Sequence, residues 1–234
     1  MNRNVGYFVL LSFIGGICVV IIGWMGSFQA EAVDSWGKLL VGAPFILSCI
    51  IGISLAFRPS WIGRMFKSNK NLKGEERKVL RRVRGHHPDC DRFEGHVVRI
   101  DDKTVCTGCL GLAVGAVISI ILMIAYMIIP LEFFSPSLYL LLTVGLAMVA
   151  LSLFEAAFTR NRFIHILLNI LLILGFFLTV MSVFQLSGKP IYSWVVIIIS
   201  FLWLETRIQI ANWRHDRICS SCSEDCKIFD STNA

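Results

Sequence analysis

The sequence predicts an all-α membrane protein with about six transmembrane helices. Two observations carry this. Mean hydropathy is +0.70 with 56% hydrophobic residues over 234 positions, far above an ordinary soluble domain. Several charge-free stretches also approach or exceed the roughly 20 apolar residues that a spanning helix needs.

The chain divides into a helical hairpin (1–57), a polar segment (58–109), a second hydrophobic bundle (110–210) and a polar tail (211–234). The first span, residues 5–28, has too long an apolar core and too weak a basic leader for a cleaved signal peptide, so a retained helix is expected. The second, 39–57, is uncharged, and its Pro44 is expected in the first turn, where proline is tolerated. Residues 110–129, 138–158 and 163–186 follow as clear spans. The last, 191–207, has an apolar core only as far as Leu204, so it spans if Glu205, Thr206 and Arg207 sit at the interface with Arg207 snorkelling outward.

Orientation follows from the placement of Lys and Arg. With six spans, every one of the 22 basic residues except Lys38 and Lys189 falls on one side. That side is expected to be the cytoplasm, with both termini on it, and the membrane the cell membrane. The net charge of +6 needs no nucleic acid to explain it.

Residues 58–84 are denser in positive charge than topology requires, carrying ten basic residues against Glu75 and Glu76. Trp61, Ile62, Met65 and Phe66 recur at helical spacing, as in a segment lying in the interface. Anionic lipid headgroups are the expected partner of this segment. A cytoplasmic protein partner with an acidic surface is the alternative. A DNA-reading role is disfavoured, because an apolar span occupies the place of a recognition helix.

Six of the eight cysteines and four of the five histidines lie in the polar segments. Cys18 and Cys49 fall inside apolar helices, where a free Cys behaves as a small buried hydrophobe. The first cluster contains His86, His87, Cys90, His96, Cys106 and Cys109. A Cys-x2-Cys pair presents two thiolates to one ion from a tight turn, with Gly108 supplying flexibility. Residues 97–103 read as a β-hairpin, as in small zinc ribbons. Thiols in a reducing compartment are more often metal-binding or redox-active than bridged. Zinc suits mixed N/S donors, with Cys90 and His96 (or His87) completing the set. The second cluster, His215, Cys219, Cys222 and Cys226, forms its own site, donates to the first, or holds an iron–sulfur cluster.

The run from His86 to His96, followed by Val105-Cys106-Thr107-Gly108-Cys109-Leu110-Gly111, resembles a prokaryotic family of small polytopic membrane proteins of unknown function. That family carries a cytosolic His/Cys loop leading to a Cys-x-x-Cys-x-Gly motif at the mouth of a helix. This chain has Leu110 where the family pattern has Thr. The resemblance covers about a fifth of the chain and implies membrane location and metal binding, with no activity attached.

Ionisable residues inside spans cost about 2.5–3.5 kcal/mol each at mid-bilayer, so they draw functional attention. Glu155, His165 and Asn169 flank one short turn and are expected to meet, with Glu155 paired to His165 or Arg162 as a buried clasp or as part of an ion-handling or catalytic cluster. Gly111, Gly115 and Ser119 form a small-residue stripe suited to close helix packing. Three functional classes stay open: a non-enzymatic membrane protein with a structural or partner-recruiting zinc module, a membrane-surface zinc or thiol enzyme with Glu94 or His87 as base, and a transporter or metal sensor.

Overall fold

A computed structural model describes residues 3–28, 32–57, 97–100, 103–129, 137–158 and 161–220. Among these are six long helices: α1 (Arg3–Ser27), α2 (Ser35–Phe57), α3 (Thr107–Ile128), α4 (Leu138–Phe158), α5 (Arg162–Ser187) and α6 (Pro190–Ser220). All six are long and apolar enough to cross a membrane, as in a multi-pass membrane protein. Two short strands, β1 (Val97–Ile100) and β2 (Lys103–Cys106), pair antiparallel with Val97 opposite Cys106, in agreement with the expected hairpin.

α5 lies at the centre and packs against α1, α3, α4 and α6. Lipid offers no hydrophobic gain for bringing two helices together, so close packing and internal hydrogen bonds must do it. The small-residue stripe of α3 performs this part. A Cβ on Gly111 would lie 2.6 Å from the Asn169 Cβ and from the Ile166 carbonyl oxygen of α5. α4 meets α5 in the same way, with Gly145 against the carbonyl of Gly175. Two buried hydroxyls on α5 bond back to their own helix, Thr179 Oγ1 to the Gly175 carbonyl (2.7 Å) and Ser187 Oγ to the Val183 carbonyl (2.8 Å).

Helix ends are set by local chemistry. Asp34 caps α2, its Oδ1 accepting from the Gly37 N–H at 2.8 Å. Asn161 does the same for α5 through the Phe163 N–H. Gly188, at φ 68°, closes α5 in the left-handed conformation, and Pro190 opens α6 at the first helical position.

Because Asp34 starts α2 early, Pro44 lies in the helix interior, a correction to its expected place in the first turn. Proline has no N–H to offer the carbonyl one turn back, at Leu40. Trp194 of α6 fills that vacancy, its indole Nε1–H donating to the Leu40 oxygen at 2.9 Å. The cost of the proline thus becomes a bond between two helices.

α6 also departs from expectation. It runs past the apolar stretch to Ser220, so the first residues of the polar tail are helical. Ile210 packs with Val5 and Ala156, and Trp213 lies against them. Arg214 Nη1 donates to the Ala156 carbonyl (3.3 Å) in the last turn of α4, where a cation is favoured. Earlier in α6, Thr206 bonds Ser12 of α1 (2.6 Å), and Trp203 Nε1 donates to the Ser12 carbonyl (3.0 Å). These contacts place the start of α1, the end of α4 and the end of α6 on one face, hereafter the loop face. At the far face Lys38 Nζ donates to the Ile129 carbonyl (3.2 Å).

Two further expectations are corrected. Arg207 does not snorkel outward; it is 5% exposed, because the face of α6 that carries it is the face bonded to α1 and packed on the bundle. Cys18 is exposed on the outside of α1, whereas Cys49 is buried as expected.

Trp194→Phe should cost about 1–3 kcal/mol, the penalty of leaving a carbonyl unpaired away from water. In a Pro44→Ala background a backbone N–H returns to Leu40, and the same substitution should cost much less. Thermal unfolding of the four proteins in detergent measures this; equal costs in both backgrounds would show that the proline and the indole are not coupled.

Candidate functional site

At the loop face, four helix ends and the hairpin converge. β2 ends at Cys106, whose extended backbone (φ −64°, ψ 127°) leads directly into α3. Cys109 therefore sits in the first turn of the helix, beyond the loop. The Cys106 and Cys109 side chains line the same cavity and lie near enough to act on one another electrostatically. Cys106 is buried and Cys109 half-buried.

Gly108 is a helical, buried residue, and its role differs from the flexible knuckle expected of it. A Cβ there would come to 3.4 Å from His165 Nε2 and 3.8 Å from Cys106 Sγ. The missing side chain is the space in which the imidazole lies beside the thiols.

His165 is fixed from its other edge. Its Nδ1 lies 3.0 Å from Glu155 Oε1 and 3.3 Å from Oε2, with the two side chains 12% and 3% exposed. Of the two partners expected for Glu155, it takes His165. Asn169 Nδ2 donates to the His165 carbonyl, one turn back. The three polar residues flanking the α4–α5 turn do meet, directly beneath the Cys pair.

Arg207 completes the cluster and was not anticipated as a site residue. Its Nε and Nη2 have no hydrogen-bond partner among the described residues. Glu155, Cys106 and Cys109 are the groups that act on it electrostatically. Ser200, Trp203, Arg207, Ile210 and Arg214 are all buried, an inward seam at alternating spacings of three and four. Extending the apolar stripe of α6 past Leu204 would have found Arg207 on it.

A cavity of about 800 Å³ opens beside this cluster, within the usual span of ligand pockets. Cys106, Cys109, His165, Arg207 and His215 line its loop-face end, and Cys49 lies further in. His215 of the tail cluster and the Cys pair of the loop cluster thus share one cavity wall.

Of the other expected ligands, Cys90, His96, His87, Cys222 and Cys226 lie outside the described residues, and at Cys219 only the backbone, continuing α6, is described. Among the described residues no group of three or more His, Cys, Asp or Glu side chains is disposed to hold a metal ion. What is present is two thiols and the His215 imidazole on one cavity wall.

Glu155 and His165 form a buried pair, and breaking such a pair from one side is costly because the other group is left uncompensated. A double-mutant cycle with Glu155→Gln and His165→Asn should give a coupling of about 1–3 kcal/mol in thermal unfolding. Strict additivity would mean that the contact contributes no stability. Compared with protein-family models, with curated proteins and with solved structures, the chain matches none.

Proposed function

We propose that this is a cell-membrane protein whose cytoplasmic face carries a zinc-binding module, structural or partner-recruiting, built on Cys106 and Cys109. The placement of these two thiols on one cavity wall at the start of α3 is the observation that carries the reading. A Cys-x2-Cys pair on one cavity wall at the start of a helix matches the half-site that structural zinc uses. His215 on the same cavity wall favours one site shared by loop and tail over two separate ones. Cys90 and His96 (or His87), or Cys219, Cys222 and Cys226, would supply the remaining donors. The antiparallel strands leading into Cys106 suit a zinc-ribbon-like loop.

In this reading the metal ties the hairpin and the tail to helix ends that the bundle already positions. Structural zinc contributes folding free energy directly, so its loss should loosen the loop face and leave the six helices intact. The near-exclusive placement of Lys and Arg at the loop face supports a cytoplasmic orientation. The basic run 58–84 would then lie against anionic headgroups, with an acidic cytoplasmic protein as the other candidate partner.

Protein purified in detergent without a metal-affinity tag should contain close to one zinc per chain by elemental analysis. Cys106→Ser and Cys109→Ser should each abolish it, and Cys222→Ser should do so if loop and tail share the site. Metal-free wild-type protein with all thiols titratable would sink the proposal. Iron with a visible chromophore would replace zinc by an iron–sulfur cluster.

Orientation has a separate check. A membrane-impermeant amine reagent applied to intact cells should modify Lys38 and Lys189 and spare the lysines of residues 58–109. Labelling of the latter would invert the topology.

A further inference from the structure

We infer that the cleft between α2 and α6 is a binding site for one phospholipid of the surrounding bilayer, its phosphate held by Arg207 and an acyl chain laid along the apolar wall. This does not rest on the metal reading.

Two observations carry it. The first is the guanidinium. Arg207 is 5% exposed, lines the cavity, and keeps Nε and Nη2 without a hydrogen-bond partner among the described residues. Glu155, the nearby carboxylate, is engaged by His165 through both oxygens. A buried, unpartnered guanidinium beside a cavity is a strong, planar receptor for a phosphate or carboxylate.

The second is the shape and lining of the cavity. At the far face α2 and α6 are joined by the Trp194–Leu40 hydrogen bond. Toward the loop face the space between them is the cavity of about 800 Å³, walled by Phe45, Cys49, Leu112, Ile197 and Leu204. Its arginines and histidines gather at the loop-face end, and the two hydroxyls further in, Ser48 and Ser200, are bonded back to their own helices. Depth agrees as well. From Pro190 to Arg207 the helix rises about 25 Å at ~1.5 Å per residue. Across a hydrocarbon core of about 30 Å this brings the guanidinium near the opposite headgroup level. Arg214 lies beyond it on the same lining and adds positive charge.

A comparable cleft between α1 and α4, about 730 Å³, shows what is specific here. No charged side chain lines it, and its hydroxyls, Ser12 and Thr206, bond one another. Nothing in that cleft selects a headgroup.

The test uses the full chain, delipidated in non-ionic detergent and titrated separately with phosphatidylglycerol, diacylglycerol and inorganic phosphate, with adducts read by native mass spectrometry. Phosphatidylglycerol should bind as one molecule per chain, and neither of the others should bind. Arg207→Gln should weaken it by about 10- to 100-fold, the range for losing a charge-assisted hydrogen bond. Arg207→Lys should retain part of the affinity.

Gly52→Phe provides a variant that leaves the cation untouched. Gly52 lines the cavity and a Cβ there meets nothing within 4 Å, so the ring enters the acyl path without displacing the helix. It should keep the wild-type melting profile and lose the lipid, and it decides the matter if Arg207→Gln does not fold. Unchanged binding in either variant overturns the inference. So does diacylglycerol binding as tightly as phosphatidylglycerol, or inorganic phosphate binding alone. A wild-type chain that takes up no lipid, its Arg207 already paired with a carboxylate such as Asp89, Asp91 or Glu94, overturns it equally.

Discussion

The close approach of α3 to α5 is the constraint on which the loop face depends. Gly111 brings the α3 backbone onto Ile166 and Asn169, and Gly115 continues the contact one turn deeper against Ile170. Those contacts fix the rotation and height of α3 relative to α5. Three residues before Gly111, Gly108 then meets His165, four residues before Asn169. The thiols on either side of Gly108 come to the imidazole by the same register. Adding even a methyl group at Gly111 would push the helices apart and carry the Cys pair away from His165 and Glu155. The packing and the site are therefore one feature, and neither can be varied without the other.

The second constraint is the cost of polar groups in lipid. Each backbone or side-chain group without water needs an internal partner. At most positions this bundle supplies one, and the partners also join helices: Trp194 serves the carbonyl that Pro44 leaves open, Arg214 serves the end of α4, and Thr206 and Trp203 bind α1. Arg207 departs from the pattern: among the described residues its Nε and Nη2 have no hydrogen-bond partner, as is also the case for the hydroxyls of Ser119, Ser152 and Ser182. A buried charge without such partners is the costliest of these. Stability alone would favour an apolar residue at this point of α6, since well-packed apolar groups often match or exceed a buried charge.

Much of this was legible in the sequence, and the exceptions have physical reasons. Six apolar stretches, the small-residue stripe and the Glu155–His165 meeting all follow from local pattern and from one short turn. Pro44 was misplaced because the start of α2 is set by Asp34, a capping residue outside the apolar run. The end of α6 was missed because hydropathy stops at Leu204, whereas the helix continues on contacts of Ile210, Trp213 and Arg214 with helices distant in sequence. Arg207 was read as an interfacial charge from hydropathy, when the spacing of Ser200, Trp203, Ile210 and Arg214 places it on the buried seam. Gly108 was read as a hinge, though its function depends on an imidazole 57 residues further along the chain. Chemistry carried by one segment was visible; chemistry assembled from several was not.

The two faces of the bundle differ in a way that bears on function. At the far face, the Gly188 turn joins α5 to α6 directly, α2 is bonded to α6, and Lys38 reaches the end of α3. These links fasten neighbouring helices together across the far face. At the loop face, α2 and α6 flank an open cavity, and the polar side chains at its rim belong to α3, α5 and α6. The cavity thus has one fastened end and one end at which α2 and α6 stand apart. The cavity and the Cys pair share the loop-face end of α3, so an occupant beside Arg207 and a metal on the thiols would each bear on the position of that helix end.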